Sequence, residues 1–472
     1  MAERYDVVVL GGGPGSYTTA IRASQLGLKA ALVERDRVGG LCLNWGCIPS
    51  KAIIHTATLV DAVRHGEDFG ILADNVRFDL GAAVDASRRV VDKMVSGVEF
   101  LLERNKVDVL HGEGRFTAAD RLVVDGNEVT AKNVIVATGA EMRSIPALAV
   151  DGQTVITSRE ALELRDLPPS IAIVGGGPIG LEFAYVYSAY GAEVTVIEML
   201  PNLLPQEDEE VGKHLERVMK KRGVRVMTDA RVESLDRADG LVTLHVANGQ
   251  REESVRAAKV LVAVGMTGRV EGYGLQEIGV EVDRGFIKVD DLGRTSVPGV
   301  WAIGDVAGPP LLAHVAAARG VAAVETIAGR TAYLPPAVDM PRATYCDPEV
   351  ASVGLTEAQA REQGRDVKIG KFPFSGNGRA IAQDSADGFV KVVVDGQYGE
   401  ILGLHIIGPA ASELLGEASL ARALEITAAE LGATVHAHPT LAEALKEAAL
   451  AVNGEAIHFW QAKSARVAAA AR

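Results

Sequence analysis

The chain holds 472 residues, long enough for three or four domains of ordinary size, and its 48% hydrophobic content can fill several cores. A formal net charge of −14 argues against nucleic acid and anionic membrane surfaces as partners, because both demand clustered lysine and arginine. Three cysteines in so long a chain exclude a disulfide-rich secreted protein, and no apolar run approaches transmembrane length. Glu3 and Arg4 lead straight into an apolar strand, which reads as no signal peptide and a cytoplasmic protein.

In chain order, Tyr5–Leu10 is an apolar strand followed by Gly11-Gly12-Gly13-Pro14-Gly15-Ser16. A helix of small residues runs through Ala20 and Ala23 to Gly27, and the strand Ala30–Val33 ends on Glu34. The segment Gly39–Lys51 follows and carries Cys42 and Cys47. Residues 122–129 form a β-segment with an Asp125-Gly126 hairpin turn. A buried strand then reaches Thr138-Gly139.

The same order returns. Ile171–Val174 precedes Gly175-Gly176-Gly177-Pro178-Ile179-Gly180, a helix runs to Gly191, and the strand Val194–Ile197 ends on Glu198. Residues 242–249 end in an Asn-Gly turn, and a buried strand from Val260 reaches Gly265. Gly11 to Glu34 and Gly175 to Glu198 both span 23 positions. A lone glycine-rich match is weak. Here each follows a strand, opens a helix and is answered by an acid at the end of the next strand. Glycines let the backbone approach a pyrophosphate, the helix N-terminus supplies N–H groups, and Glu34 and Glu198 accept from ribose hydroxyls. Ser16 stands where the third glycine of the first copy belongs, and its small side chain is expected to keep the helix tight on the strand. Of two dinucleotide sites on one chain, one could hold a bound flavin and the other an exchanging nicotinamide. The cysteine pair beside the first makes that the flavin site. Glu198, followed by Met199, Leu200 and Pro201 rather than arginines, favours NAD over NADP.

Residues five apart in an ideal helix lie about 8–9 Å apart, whereas a disulfide wants Cα atoms about 4.4–6.8 Å apart. Cys42 and Cys47 can bridge only across a bent or non-helical turn, for which Gly46 supplies freedom and Pro49 removes a helical bond. The competing readings are two structural thiols or a metal site. Two sulfurs without a nearby Cys or His set make a poor zinc site, and so short a loop gains little closure entropy from a staple. Reducible redox chemistry is favoured.

From about 340 the pattern changes to an α+β unit. Strands are expected at 350–355, 389–394 and 401–407 and alanine-rich helices at 411–430 and 441–452, and a dimer interface is the natural role. The fold class is α/β: two Rossmann-like dinucleotide-binding domains plus a C-terminal α+β dimerisation domain. The expected boundaries are 1–150 for the FAD-binding domain with the cysteine pair, 151–270 for the NAD-binding domain, 271–340 for a central domain completing the FAD site, and 341–472 for the interface domain.

With both fingerprints, the cysteine segment, Trp301-Ala302-Ile303-Gly304-Asp305 and His436-Ala437-His438-Pro439-Thr440 in view, the chain resembles the pyridine nucleotide–disulfide oxidoreductases. It is most similar to their dihydrolipoyl dehydrogenase branch. The resemblance implies FAD and NAD as cofactors and oxidation of dihydrolipoamide by a homodimer. The substrate would be carried on an acyltransferase lipoyl domain of a 2-oxoacid dehydrogenase-type complex. It makes Cys42 the interchange thiol and Cys47 the thiol against the flavin. It places Gly11, Gly13, Pro14, Gly15, Ser16, Glu34, Thr138, Gly139 and Asp305 at FAD, with a helix N-cap as the ordinary reading of Asp305. Gly175, Gly177, Gly180, Glu198 and Gly265 fall to NAD. Lys51 and Glu182 are implied to pair near the flavin. His438, from the other subunit, becomes the acid/base, oriented by Glu443. His436 is left a structural role, His438–Pro439 is a candidate cis bond, and Cys346 reads as a small buried hydrophobe. Trp45 stands where the family usually has a small residue, which bears on which dithiol fits. The alternative is a related flavoprotein acting on another small thiol. Ile48-Pro49-Ser50-Lys51 argues against glutathione reductase, and the lack of a C-terminal cysteine pair argues against mercuric reductase. An intact cysteine, histidine and glutamate set argues against a scaffold.

Overall fold

The structure, a computed structural model, describes residues 3–249 and 251–460, so the end of the expected C-terminal unit, 461–472, lies outside the described residues. The chain divides into two compact units, Met1–Leu167 with Val264–Leu334, and Pro168–Ala263 with Pro335–Arg472.

The first unit is built on a sheet in the order Asp108–His111, Ala30–Glu34, Glu3–Leu10, Asn127–Val136, Arg121–Val124, Gly114–Ala118, with Val300–Ala302 also paired to Asn127–Val136. The strands on either side of Glu3–Leu10 run parallel to it. Val7, Val8 and Val9 are fully buried, as a strand covered on both faces requires. Strand order reverses around Glu3–Leu10, and a dinucleotide binds where such a reversal opens a crevice beyond the strand ends. Asp125 (φ +44°) and Gly126 (φ +85°) turn the hairpin with the two positive φ values that the tight turn needs. The sequence pattern divides this region into a hairpin strand and a later buried strand. The structure runs them as one, because the ladder from Glu3–Val129 to Leu10–Val136 is continuous.

In the second unit, Arg225–Met227, Glu193–Ile197, Ser170–Val174 and Lys259–Val262 form the same parallel order around its own first strand. Ala230–Ala238, Leu241–Asn248 and Arg251–Ala257 make an antiparallel meander. An antiparallel sheet follows in the order Arg342–Thr344, Glu349–Gly354, Ile401–Gly408, Phe389–Asp395, Val367–Pro373. Its three expected strands are present. The two edge strands escaped the sequence pattern: one is short, and the other is interrupted by Gly370, whose missing Cβ makes room for the Ala448 carbonyl. The run 411–430, expected as one helix, is two, Ala411–Ala423 and Ala428–Ala433. Glu425 turns to φ +52°, and Thr427 with Glu430 forms a capping box that starts the second helix. Phe372, Phe374, Val390, Leu404, Leu415 and Leu445 fill the core between this sheet and its helices. On the other face of the same sheet, Lys391 is a buried cation bonded to Asp208 (2.9 Å), Glu210 (2.8 Å) and Glu357 (2.8 Å). No described helix is long and apolar enough to cross a membrane.

Candidate active site

The cysteine segment folds as two helices, Gly40–Trp45 and Cys47–Arg64, with Gly46 alone between them. This is the non-helical turn that the spacing demanded. It brings the Cα atoms of Cys42 and Cys47 to 4.7 Å, and the two are bridged. Gly46 is required by close approach: a Cβ there would lie 2.9 Å from Leu41 Cδ2 and 3.0 Å from the Leu41 carbonyl oxygen. Cys47 is the first residue of an 18-residue helix. Its sulfur therefore sits at the positive end of the helix dipole, where a thiolate is favoured. Pro49 falls in the first turn, where its missing N–H costs no helical bond, so the break expected from Pro49 does not occur there and Gly46 alone makes the turn.

Backbone contacts pin this segment to the first glycine loop. The Gly39 N–H donates to the Gly12 carbonyl at 2.7 Å, and a Cβ on Gly40 would come within 2.8 Å of Gly13 Cα. The buried Asn44 side chain ties the short helix down by donating to the carbonyls of Val38 (3.1 Å) and Gly40 (3.0 Å).

The two glycine loops are built alike. Gly11 and Gly175 both take φ +117°, and Pro14 and Pro178 each open a helix. No side chain caps either helix; Pro14 and Pro178 carry no N–H and the Ser16 N–H bonds the Gly13 carbonyl at 2.9 Å, which leaves the Gly15 and Ile179 N–H groups to face a ligand. A Cβ on Gly13 or Gly177 would meet nothing within 4 Å, which leaves open space on the ligand side of each loop. Gly15 packs the first helix close against Ala316, and Gly180 crosses the Gly175 carbonyl where no Cβ fits. Ser16 is buried, its hydroxyl without a partner among the described residues, so the first helix keeps its packing without the third glycine. The acids close both motifs. Glu34 accepts from the Asp36 N–H at 2.9 Å and abuts Gly12. Glu198, buried, accepts from the N–H groups of Gly176 (2.6 Å) and Leu200 (2.8 Å). A carboxylate has about four lone-pair sites, so two remain for a ribose. The residues present fit a dinucleotide at each loop.

Asp305 lies within the short helix Gly304–Ala307, whose N-cap is Ile303, so the capping role considered for Asp305 does not hold. Burial pushes its carboxyl up to about 6. Thr138 donates its hydroxyl to the Arg269 carbonyl at 2.7 Å, and the Gly139 carbonyl accepts the Arg269 N–H at 3.0 Å. Gly265 (φ +101°) accepts the Arg143 N–H at 3.0 Å. Lys51 stands one helical turn after Cys47, its Nζ 3.5 Å from Ser50 Oγ. Glu182, buried in the helix Pro178–Tyr190, accepts the Tyr345 N–H at 3.1 Å.

His438 Nδ1 lies 2.9 Å from Glu443 Oε1, and the other carboxylate oxygen accepts the Thr440 N–H at 2.8 Å. Burial raises the Glu443 pKa, but the Thr440 N–H and His438 lower it more, and the net shift is down. A carboxylate only accepts, so Nδ1 must carry the proton and Nε2 keeps the lone pair of the neutral ring. The His438 side chain is 79% exposed, whereas that of His436 is 7% exposed and held by Glu417 at 2.8 Å. The His438–Pro439 peptide is cis. Cys346 is buried, its sulfur 3.4 Å from the Pro348 carbonyl.

Three residues at the loop between the cysteines escaped sequence reasoning: Asn44 within it, and Arg88 and Arg159 against it. Arg88 donates to the Asn44 carbonyl at 2.8 Å, and both arginines lie over the Trp45 ring. Nothing local to either arginine marks it, since each comes from a helix distant in sequence.

Residues 5–320 match the family described as pyridine nucleotide-disulphide oxidoreductase, and residues 340–449 match its dimerisation domain. The dihydrolipoyl dehydrogenase of Zymomonas mobilis is 45% identical over 466 residues, covering 97% of this chain and 100% of its own. That of Mycobacterium tuberculosis H37Rv is 48% identical over 463 residues, covering 96% and 99%. Among solved structures, LpdA of Mycobacterium tuberculosis superposes with a TM-score of 0.87 at 28% identity, covering 95% of this chain and 99% of its own. The HOCl-induced flavoprotein disulfide reductase RclA of Escherichia coli gives 0.83 at 25%, covering 94% and 99%. With the duplicated glycine loops and the bridged cysteines already in place, these matches lead to one conclusion: the chain belongs to the pyridine nucleotide–disulphide oxidoreductase family.

Proposed function

We propose that this enzyme oxidises dihydrolipoamide, as the dihydrolipoyl group of an acyltransferase, with NAD⁺ as final acceptor. The observation that carries the reading is the Cys42–Cys47 bridge, held at a helix N-terminus and pinned to the first glycine loop. Relatives named dihydrolipoyl dehydrogenase, 43–48% identical over nearly the full chain, support it. FAD is assigned to Gly11, Gly13, Pro14, Gly15, Ser16, Glu34, Thr138, Gly139 and Asp305, and NAD to Gly175, Gly177, Gly180, Glu198 and Gly265. The domain roles follow, with FAD binding in 1–150, NAD binding in 151–270, completion of the FAD site in 271–340 and dimerisation in 341–472. The homodimer gives each His438–Glu443 pair to the other subunit's disulfide. Lys51 and Glu182 complete the catalytic set. Few cysteines and a reducible bridge suit the cytoplasm.

The residues divide the work by position. His438 Nε2 takes the proton of one substrate thiol, while Glu443 holds Nδ1–H and stabilises the imidazolium. The substrate thiolate attacks Cys42 Sγ, the S–S bond breaks, and Cys47 leaves as a thiolate favoured by its helix N-terminus. The second substrate thiol gives up its proton and attacks the mixed disulfide. A cyclic substrate disulfide departs, and Cys42 is released reduced. Two electrons and two protons leave the substrate, and the cysteine pair with its histidine receives them. The chemistry supplied by FAD when bound is two-electron acceptance from the reduced cysteines and hydride donation to NAD⁺.

The purified protein should bind FAD, and on mild reduction should show a long-wavelength thiolate–flavin band. It should reduce NAD⁺ with dihydrolipoamide, and Cys42→Ser should abolish that turnover. A Cys42→Ser enzyme with wild-type turnover refutes the assignment.

A further inference from the structure

We propose that Arg88 is a positioning residue for the redox disulfide, holding the loop between the two cysteines in a fixed, cationic setting. The inference rests on the redox reading of Cys42 and Cys47. Arg88 sits on the helix Leu80–Arg104, whose N-terminus Asp79 caps by accepting the Ala82 N–H at 3.0 Å. Its Nη1 donates to the Asn44 carbonyl at 2.8 Å, and its Cζ lies 5.2 Å from the Trp45 ring centroid. Arg159 brings a second guanidinium over the same ring, at 4.4 Å. Asn44 and Trp45 are the last residues before Gly46, so these contacts act on the break that lets the sulfurs meet.

The placement is costly, which is why it points to a role. Arg88 Nε and Nη2 are buried and, among the described residues, lack hydrogen-bond partners. Burial also disfavours its charge, with Glu163 and Asp92 partly offsetting that. A guanidinium stays charged in a protein regardless, and the indole face and the last carbonyls of a helix both attract cations. The arginine is thus committed to the cysteine loop rather than to solvent. It holds the Asn44 carbonyl, three residues before Cys47, and it adds positive charge at the loop of a pair that opens to a thiolate. The charge favours the opened, thiolate-bearing pair over a loop without the arginine, and the Asn44 contact sets where that charge lies.

The test is thiol–disulfide equilibrium of the anaerobic holoenzyme, without NAD⁺, in mixtures of reduced and oxidised dithiothreitol. Dithiothreitol gives two electrons and two protons and becomes its cyclic disulfide, while the Cys42–Cys47 bond breaks to two thiols. Alkylation and mass spectrometry then count the thiols at the two positions. Arg88→Met is expected to lower the equilibrium constant for reduction about tenfold, a midpoint about 30 mV more negative. Arg88→Lys, which keeps the charge, should recover part of the loss. Arg159→Met, at an exposed side chain, should shift the constant in the same sense by about threefold, and it decides the matter if Arg88→Met does not fold. Constants within twofold of wild type for both methionine variants overturn the role of Arg88 and leave the redox reading standing. A wild-type pair that stays oxidised throughout overturns the redox reading itself.

Discussion

Gly46 offers the sharpest test of how the disulfide is held. Replacing it with alanine adds one carbon in a space bounded by Leu41 Cδ2 at 2.9 Å, the Leu41 carbonyl oxygen at 3.0 Å and Cys42 Cα at 3.3 Å. The Leu41 side chain is exposed and can swing away. The carbonyl and Cys42 Cα are backbone and must move. Overpacking of this kind costs about 1–3 kcal/mol. The closed loop bears that cost, because opening the bridge lets Cys42 and Gly46 separate. Gly46→Ala should therefore favour reduction by roughly 5- to 150-fold, a midpoint about 20–65 mV less negative. The dithiothreitol titration with alkylation reads this directly. The expected sign is opposite to that for Arg88→Met, so general loosening of the loop cannot produce both. A midpoint unchanged within a few millivolts, or shifted to more negative values, would refute the steric argument.

Three further outcomes follow from buried charges. Lys391→Met strands the buried Asp208 carboxylate beside Glu210 and Glu357, and should cost about 3–5 kcal/mol in thermal or urea unfolding; adding Asp208→Asn, which can still cap its helix, should restore part of that, and an additive double mutant would show no coupling. His214 accepts from Arg217 (2.8 Å) and donates to Asp387 (2.7 Å), with burial first among the causes that lower its pKa below 6.5. The unfolded chain then binds the proton more readily, so this stability is full above about pH 6.5 and is lost as pH falls through the folded value, at about 1.4 kcal/mol per unit of depression; a His214→Gln protein with the same pH dependence of unfolding as wild type would refute it. Glu198→Ser removes a buried carboxylate that a 2′-phosphate would meet, so the NADP⁺ to NAD⁺ ratio of kcat/KM should rise at least about tenfold, and an unchanged ratio would take cofactor choice away from Glu198.

Much of the site was legible in the chain because its signals are local. Two glycine loops at equal distance from an acid announced two dinucleotide sites, and the structure gives both the same φ of +117° at their first glycine. The Cys42–Cys47 spacing excluded a bridge across a continuous ideal helix, and the structure breaks the helix at Gly46 between them. The capping box of Thr427 and Glu430 was also written locally, though the alanine-rich run around it masked the helix break. Edge strands were harder. Gly370 weakens a strand pattern for the sake of a helix carbonyl that lies far away in sequence.

The amino-acid order by itself determined the two glycine loops and the turn between the cysteines, since each depends on a handful of residues whose spacing limits what the backbone can do; the pairing of His438 with Glu443 came from the family resemblance. Tertiary packing alone decided that Arg88 and Arg159 lie over Trp45 in the cysteine loop, and that Lys391 is buried among three carboxylates. Those contacts join segments dozens to hundreds of residues apart. Their energy comes from desolvation and geometry that exist only after the helices and sheets have docked.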